Sequence, residues 1–177
     1  GASLIALISG CSQQKEEVAA SDINVGIILG FTGPIESLTP TMASSAEMAF
    51  KEATDAGILN GSTLNPVRAD STCIDAAAAT SAAERLVTAD NVVAIMGADC
   101  SGVTTAIANN VAVPNGVTII SPSATSPALT TIEDKGFFFR TAPSDARQGQ
   151  ILAQVVMDRG VKKLAVTYTN NDYGKGL

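Results

Sequence analysis

The chain has 177 residues, of which 46% are hydrophobic and 16% are charged, with a formal charge of −6 and no histidine. This composition suffices for one packed domain, or one and a fraction, and is too apolar for a disordered chain. Because the acid excess leaves no basic run to bind phosphates, nucleic acid is excluded as a partner. Without histidine there is no Ser-His-Asp or Cys-His catalysis and no imidazole zinc site, so we expect no enzyme.

The first predicted element is an apolar run at residues 2–10, which stops at Cys11 before a polar stretch. The run is far shorter than the roughly 20 residues of a membrane-spanning helix and suits the apolar part of a signal peptide. The order Leu7-Ile8-Ser9-Gly10-Cys11 is similar to a bacterial lipobox, in which the cysteine is lipidated; the alternative is an apolar tail with a chance cysteine. We expect export, with residues 1–21 as signal remnant, lipidated Cys11 and tether, and with the basic start of the signal clipped off.

Export changes the interpretation of the other two cysteines. Once Cys11 is set aside for lipid, Cys73 and Cys100 form an even pair in an oxidising compartment. A disulfide between them would stabilise the fold by about 3–4 kcal/mol. The alternative is two buried, reduced thiols.

From Asp22 onward, short apolar runs alternate with helical periods. The pattern predicts strands at 23–29, 66–70, 92–96, 117–120, 137–140 and 163–168. It predicts helices at 42–57, at 75–87 with Asp75 as N-cap, from Ser101 to 111, and from Ser144 to Gly160. This alternation predicts an α/β fold, with right-handed βαβ units that form a parallel sheet covered by helices on both faces.

Two side-chain expectations accompany these helices. Glu47 and Lys51 are spaced to form an ion pair on the solvent side of the first helix. In the last helix, Ile151, Leu152, Val155 and Val156 fall on one stripe, which we expect to face a core.

Candidate ligand contacts lie in three loops, at 31–38, 97–102 and 121–127, because ligands of parallel sheets bind beyond the carboxyl ends of the strands. The hydroxyl of Ser101 and the hydroxyl-rich third loop could hold a carboxylate with neutral donors alone. The alternative is N-capping by Ser101 and turn chemistry over 121–126. We interpret Glu36 and Asp99 as a loop acid and a helix-terminus partner rather than a catalytic pair.

Several short motifs follow one another at regular positions: Gly33-Pro34, Ala46 to Gly57, Asp70 to Cys73, Gly97 to Ser101, Ser121 to Thr125, Phe139 to Asp145, and Asp172 to Leu177. In this order and spacing, the chain resembles the branched-chain amino acid binding proteins of bacterial ABC importers. The resemblance implies the type I periplasmic-binding-protein fold, in which two α/β lobes close on a ligand about a hinge. The first lobe would occupy residues 22–143 without its return segments, and residues 144–177 would contain the hinge exit and the start of a truncated second lobe.

The resemblance also implies roles for individual residues. Cys73 and Cys100 match a first-lobe disulfide, Ser101 matches a carboxylate-binding residue, and Tyr173 matches an aromatic that reaches the ligand from the second lobe. The matching binding loop consists of Ser123, Ala124 and Thr125. Leu38, the sixth expected ligand contact, falls about where leucine-binding members have a tyrosine against the ligand side chain, which is a departure from the family.

From the resemblance we expect a monomer in the periplasm or at the cell surface that captures an amino acid and delivers it to an ABC permease in the membrane. From the lipobox we expect a lipid anchor. We expect no cofactor and no metal. Two alternatives stay open: a ligand-sensing receptor domain of the same fold, and an amide, urea or aromatic acid as the ligand.

Overall fold

The computed structural model of the protein describes residues 20–177. The expectations for the signal remnant and for lipidation of Cys11 lie outside the described residues. Within residues 20–177, the helices are all too short or too polar to cross a bilayer.

Five parallel strands form one sheet in the order β2-β1-β3-β4-β5. The strands are β1 Asp22–Leu29, β2 Thr63–Asp70, β3 Ala94–Gly97, β4 Thr118–Ser121 and β5 Phe138–Arg140. β1 pairs with a strand on each side, so that Ile28 lies opposite both Ala69 and Gly97. Its residues Ile27, Ile28 and Leu29 are fully buried, as expected for a strand covered on both faces.

Helices cover both faces of this sheet. They are α1 Thr39–Asp55, α2 Ala76–Thr88, α3 Ser101–Ile107, α4 Asp145–Asp158 and α5 Asp172–Gly176, with a π-helical turn at Ala108–Ala112 and a 3-10 turn at Pro127–Thr130. On one face, α1 packs against Ile27 and Leu29. On the other, α2 and α3 enclose the larger core around Ile28, Ile95 and Ile119. The predicted three-layer α/β fold is confirmed.

Local sequence explains how α2 begins and how closely it packs. Its N-cap Asp75 accepts hydrogen bonds from the amides of Ala77 and Ala78, as predicted. Leu86 of α2 lies against Gly26 of β1, where an added Cβ would be 3.0 Å from the Leu86 Cδ1 atom. A glycine in the strand and alanines in the helix therefore let the two elements approach each other closely.

Two expectations about the last forty residues are not met within residues 20–177. The predicted strand at 163–168 is absent, and Leu164 and Val166 are exposed. In the described part of the chain no strand pairs with this segment, so its backbone has no ladder to join. Ile151, Leu152 and Val155 of α4 are also exposed, because no other described element packs extensively against that stripe.

The expected Glu47–Lys51 ion pair is also wrong. Lys51 pairs with Asp55 at 2.6 Å, while Glu47 accepts two hydrogen bonds, at 2.6 and 2.9 Å, from the guanidinium of Arg68 on β2. The planar guanidinium offers a bidentate partner, which a lysine on the same helix cannot.

Candidate functional site

A cleft of about 920 Å³ opens beyond the carboxyl ends of the strands. The loop after β1 contributes Leu38, the start of α3 contributes Ser101, and the loop after β4 contributes Ser123 and Thr125. Further lining comes from Asp145 at the start of α4 and from the segment 169–175. The cleft thus lies where ligands of parallel sheets bind, and all three predicted loops reach it.

Ser101 stands at the first position of α3 and is almost fully buried. Its Oγ atom accepts a hydrogen bond from the backbone amide of Ser126 at 3.2 Å. The N-cap of α3 is Cys100, and no side chain caps the helix, so the alternative that Ser101 serves as the N-cap is wrong. Since Oγ is an acceptor toward Ser126, its own proton remains available in the cleft.

The hydroxyls of the loop after β4 are committed differently. The Oγ atom of Ser123 donates to the backbone oxygen of Asp99 at 3.0 Å, and the Oγ1 atom of Thr125 donates to Oδ2 of Asp145 at 2.8 Å. Both hydroxyls therefore present lone pairs rather than protons to their surroundings.

Ala124 lies between these two residues but is fully buried and does not line the cleft. Its backbone amide donates to the Oγ atom of Ser121 at 3.0 Å. The structure thus brings five of the six predicted ligand contacts into one cleft: Leu38, Ser101, Ser123, Thr125 and Tyr173.

Tyr173 reaches the cleft through α5, which packs against the start of α3. Asn171 caps α5 by accepting the amide of Gly174 at 2.9 Å. An added Cβ on Gly102 of α3 would lie 3.4 Å from Oδ2 of Asp172. This short separation keeps α5 beside the start of α3, and Tyr173 lines the cleft from there.

The carboxylate of Asp99 joins three strand ends beneath the cleft. It is 4% exposed and accepts hydrogen bonds from the amide of Gly30 at 2.7 Å, the amide of Cys100 at 2.8 Å and the hydroxyl of Ser71 at 3.4 Å. Asp99 therefore holds the loops after β1, β2 and β3 together, a wider role than the helix-terminus partner expected from the sequence.

Cys73 and Cys100 line the same wall. Their sulfurs stand at bonding distance, with Cα atoms 5.2 Å apart. Beside them Gly33, at φ +98°, passes so close to the backbone oxygen of Thr72 that a side chain there would collide with it. The wall is consequently compact, and it abuts Ser101.

Asp70 fixes the loop after β1 from the end of β2. Burial raises the pKa of its carboxyl, but hydrogen bonds from the hydroxyl of Thr32 (2.6 Å) and the amides of Thr72 (2.8 Å) and Thr32 (3.3 Å) outweigh burial, so its pKa falls below the ordinary value. Nearby, the hydrogen bond from Arg68 lowers the pKa of Glu47.

The cleft contains two buried carboxylates without a cationic partner. The ion pairs formed by residues 20–177 are Lys51–Asp55, Arg68–Glu47 and Arg85–Asp90, and none involves Asp99 or Asp145. Over the same range, no cluster of three acidic, histidine or cysteine side chains is placed to hold a metal ion. The lining of the cleft combines hydroxyls, carboxylates and apolar side chains.

The parallel sheet, with helices on both faces and a cleft beyond its strand ends, is the architecture of one lobe of a type I periplasmic-binding-protein fold. The family model described as "Periplasmic binding protein" matches residues 22–177, and the chain belongs to that family. The predicted family resemblance is confirmed. Since the family consists of binding proteins, the comparison also agrees with the expectation that the chain is not an enzyme.

Individual relatives give the same result. The chain is 35% identical over 162 residues to the Leu/Ile/Val-binding protein homolog 1 of Brucella melitensis, and the match covers 90% of this chain and 42% of that protein. It is 28% identical to the Leu/Ile/Val-binding protein of Escherichia coli K12, covering 97% of this chain and 47% of that protein. The chain thus spans less than half the length of these relatives.

Among solved structures, the substrate-binding protein LivJ of Streptococcus pneumoniae, in complex with isoleucine, superposes with a TM-score of 0.68 at 31% identity. That match covers 78% of this chain and 38% of LivJ. A Rhodopseudomonas palustris solute-binding protein in complex with 3,4-dihydroxybenzoic acid superposes with a TM-score of 0.73 at 22% identity, covering 88% of this chain and 41% of that one. The second likeness shows the shared fold alone.

Proposed function

We propose that this chain belongs to an extracytoplasmic solute-binding protein of an ABC importer, which captures an α-amino acid and delivers it to a membrane permease. Residues 22–143 would form most of the first ligand-binding lobe, and residues 144–177 the hinge exit and the start of a second lobe. The observation that carries the proposal is the cleft, which is lined both by Ser101, whose hydroxyl acts as an acceptor toward Ser126, and by Ser123 and Thr125, whose hydroxyls act as donors toward other groups.

Both ends of an α-amino acid find suitable partners in this cleft. The Ser101 hydroxyl would donate a hydrogen bond to the ligand carboxylate, while the hydroxyls of Ser123 and Thr125 would accept hydrogen bonds from the ligand amine. Leu38, Ile35 and Met42 supply an apolar wall for a side chain. The names of the Brucella and E. coli relatives support a branched-chain amino acid or a related one.

The exposed stripe of α4 that contains Ile151, Leu152 and Val155 supports the proposal of a second lobe. Side chains of this kind are normally buried, and the relatives are more than twice as long as the match. A second lobe packed against α4 would cover the stripe and bring further ligand contacts to the open side of the cleft. Capture would then follow hinge closure, in which both lobes contact the ligand.

A panel screen of the complete two-lobed protein tests this function. Thermal unfolding is followed with the branched-chain amino acids, alanine, acetamide, urea and benzoate, each in turn. A ligand at about 100 times its Kd stabilises the folded protein by about 2.7 kcal/mol, which raises Tm by a few degrees. A shift with α-amino acids is the expected result. A shift only with benzoate, urea or the amide would retain the fold and overturn the ligand class.

We further propose that the Cys73–Cys100 disulfide forms in an oxidising compartment and that Cys11 anchors a monomer to the membrane through lipid. Mass spectrometry of the purified protein should find Cys11 acylated, and Cys11→Ser should release the protein from the membrane fraction.

Ligand-dependent stimulation of ATP hydrolysis by the reconstituted permease distinguishes transport from sensing. If the protein binds its ligand but does not stimulate ATP hydrolysis by any permease encoded beside its gene, that result would favour the sensing alternative.

A further inference from the structure

Asp145 is connected to Thr125 at two points. The Thr125 hydroxyl donates to Oδ2 of Asp145 at 2.8 Å, and the Asp145 amide donates to the backbone oxygen of Thr125 at 2.9 Å. Asp145 is only 2% exposed, yet it lines the cleft. The side chain and the backbone of Thr125 are therefore both held by the first residue of α4.

This connection fixes the direction of the Thr125 hydroxyl. An ionised carboxylate can only accept hydrogen bonds, so the single hydroxyl proton of Thr125 is committed to Asp145 and its lone pairs remain for the cleft. Ser101 has the opposite arrangement, because it accepts from Ser126 and keeps its proton. The two hydroxyls thus differ in polarity although both belong to the same cleft.

The negative charge of Asp145 also favours an amine beside Thr125. No lysine or arginine of residues 20–177 forms an ion pair with it, and Coulomb attraction is strong where burial lowers the local dielectric constant. Within the described part of the chain, Lys175 is the one cationic side chain in the cleft lining, and it is not within ion-pair distance of Asp145. Asp145 therefore places an uncompensated negative charge beside Thr125, which suits a cationic amine and disfavours a second carboxylate.

We propose that Asp145 is a positioning residue that determines specificity: by holding Thr125 as an acceptor, it makes the cleft select ligands with an amine beside their carboxylate over simple carboxylates. This inference rests on the proposed function, and it assigns the discrimination to a residue that acts by holding Thr125. It also connects the binding loop to the first helix beyond the expected hinge.

Titration calorimetry of the complete protein with L-leucine and with its desamino analogue 4-methylpentanoate tests the proposal. Asp145→Asn removes the charge and lets an amide donate to Thr125, so that the hydroxyl can turn its proton toward the cleft. We expect leucine affinity to fall about 10- to 100-fold and 4-methylpentanoate affinity to stay level or rise. A merely structural role would weaken both ligands equally and would overturn the proposal.

Further variants test whether Asp145 acts on ligand affinity through Thr125. If Asp145 acts through Thr125, the effect of Asp145→Asn on leucine affinity shrinks in a Thr125→Val background, whereas full additivity overturns the positioning role. Asp75→Asn makes the same charge change at a helix start outside the cleft lining and should leave the leucine to 4-methylpentanoate ratio unchanged. If Asp145→Asn does not fold, Thr125→Val must lose the discrimination and Thr125→Ser must retain it; the reverse pattern overturns the proposal.

The outcomes for the wild-type protein separate this inference from the function on which it rests. If the wild type binds no α-amino acid, the proposed function fails and the inference falls with it. If the wild type prefers leucine to 4-methylpentanoate and Asp145→Asn prefers it to the same extent, only the inference fails.

Discussion

The Oγ atom of Ser101 lies 3.2 Å from the backbone nitrogen of Ser126 and accepts a hydrogen bond from it. Ser101 begins the helix that follows β3, and Ser126 lies in the loop after β4; these two strands are neighbours in the sheet. Through this bond, the backbone of the loop orients the hydroxyl that the helix presents to the cleft. A buried serine with a free proton is well suited to a ligand carboxylate, and this role leads to the first prediction.

Ser101→Ala should weaken ligand binding by about 1–3 kcal/mol, because a hydrogen bond to a charged carboxylate is lost. Calorimetric titration of the complete protein with L-leucine measures the change. Ser44→Ala is a matched control, since the Ser44 hydroxyl donates to its own helix at Pro40 on an exposed surface. Affinity equal to that of the wild type in Ser101→Ala would remove this residue from the site.

The proposed Cys73–Cys100 disulfide should contribute about 3–4 kcal/mol to the free energy of unfolding, since it would restrict the unfolded chain between these two residues. Denaturant unfolding with and without a thiol reductant measures this contribution. The Cys73→Ser/Cys100→Ser double variant should match the reduced wild type and should not respond to reductant. A reductant effect that persists in the double variant would contradict the assignment.

The lowered pKa of Asp70 predicts a pH-dependent contribution to stability. A carboxyl whose folded pKa lies below its unfolded value of about 3.9 stabilises the native state above that value, and the contribution disappears as pH falls through the folded pKa. Asp70→Asn should therefore be less stable than the wild type at pH 7, and the difference should vanish in acid.

Urea unfolding between neutral and acidic pH measures the Asp70 contribution. Thr32→Val removes the hydroxyl that donates to Asp70 at 2.6 Å and should show part of the same loss. A difference between wild type and Asp70→Asn that stays constant down to the lowest pH would refute the role of the carboxylate charge.

Gly97→Ala should be strongly destabilising. Gly97 has φ +135°, and an added Cβ would collide with the backbone oxygen of Ile28 in the neighbouring strand. We expect a loss of about 3 kcal/mol or more, because neither backbone can yield within the sheet. Gly57→Ala is the control. Gly57 has φ +67°, but no atom lies within 4 Å of an added Cβ. Only the strain of the backbone conformation therefore remains, about 1 kcal/mol. Equal losses in both variants would contradict this account.

Much of the sheet and most helix ends could be predicted from local sequence. The apolar run of β1, the Asp75 cap and the glycines that end α1 and α4 are short-range signals, and Gly57 and Gly160 both have φ +67°. The wrong strand at 163–168 has the right composition, but a strand forms only beside a partner, and residue patterns do not report whether one is present.

The binding loops could be located from the sequence, but their internal hydrogen bonds could not. Asp99 accepts the amide of Gly30 across 69 positions, and Asp145 accepts the hydroxyl of Thr125 across 20. Such bonds depend on which strand ends become neighbours, and the order β2-β1-β3-β4-β5 is not written in any local pattern. For the same reason, Asp145 was missed as a member of the site, although the start of its helix at Ser144 was predicted.

A crystal structure of the complete protein with the amino acid that raises its Tm most tests the central claim most directly. The account predicts the ligand carboxylate about 3 Å from Oγ of Ser101, with the amine toward Oγ1 of Thr125. A ligand bound outside this cleft, or bound with its amine at Ser101 and its carboxylate at Thr125, would contradict it.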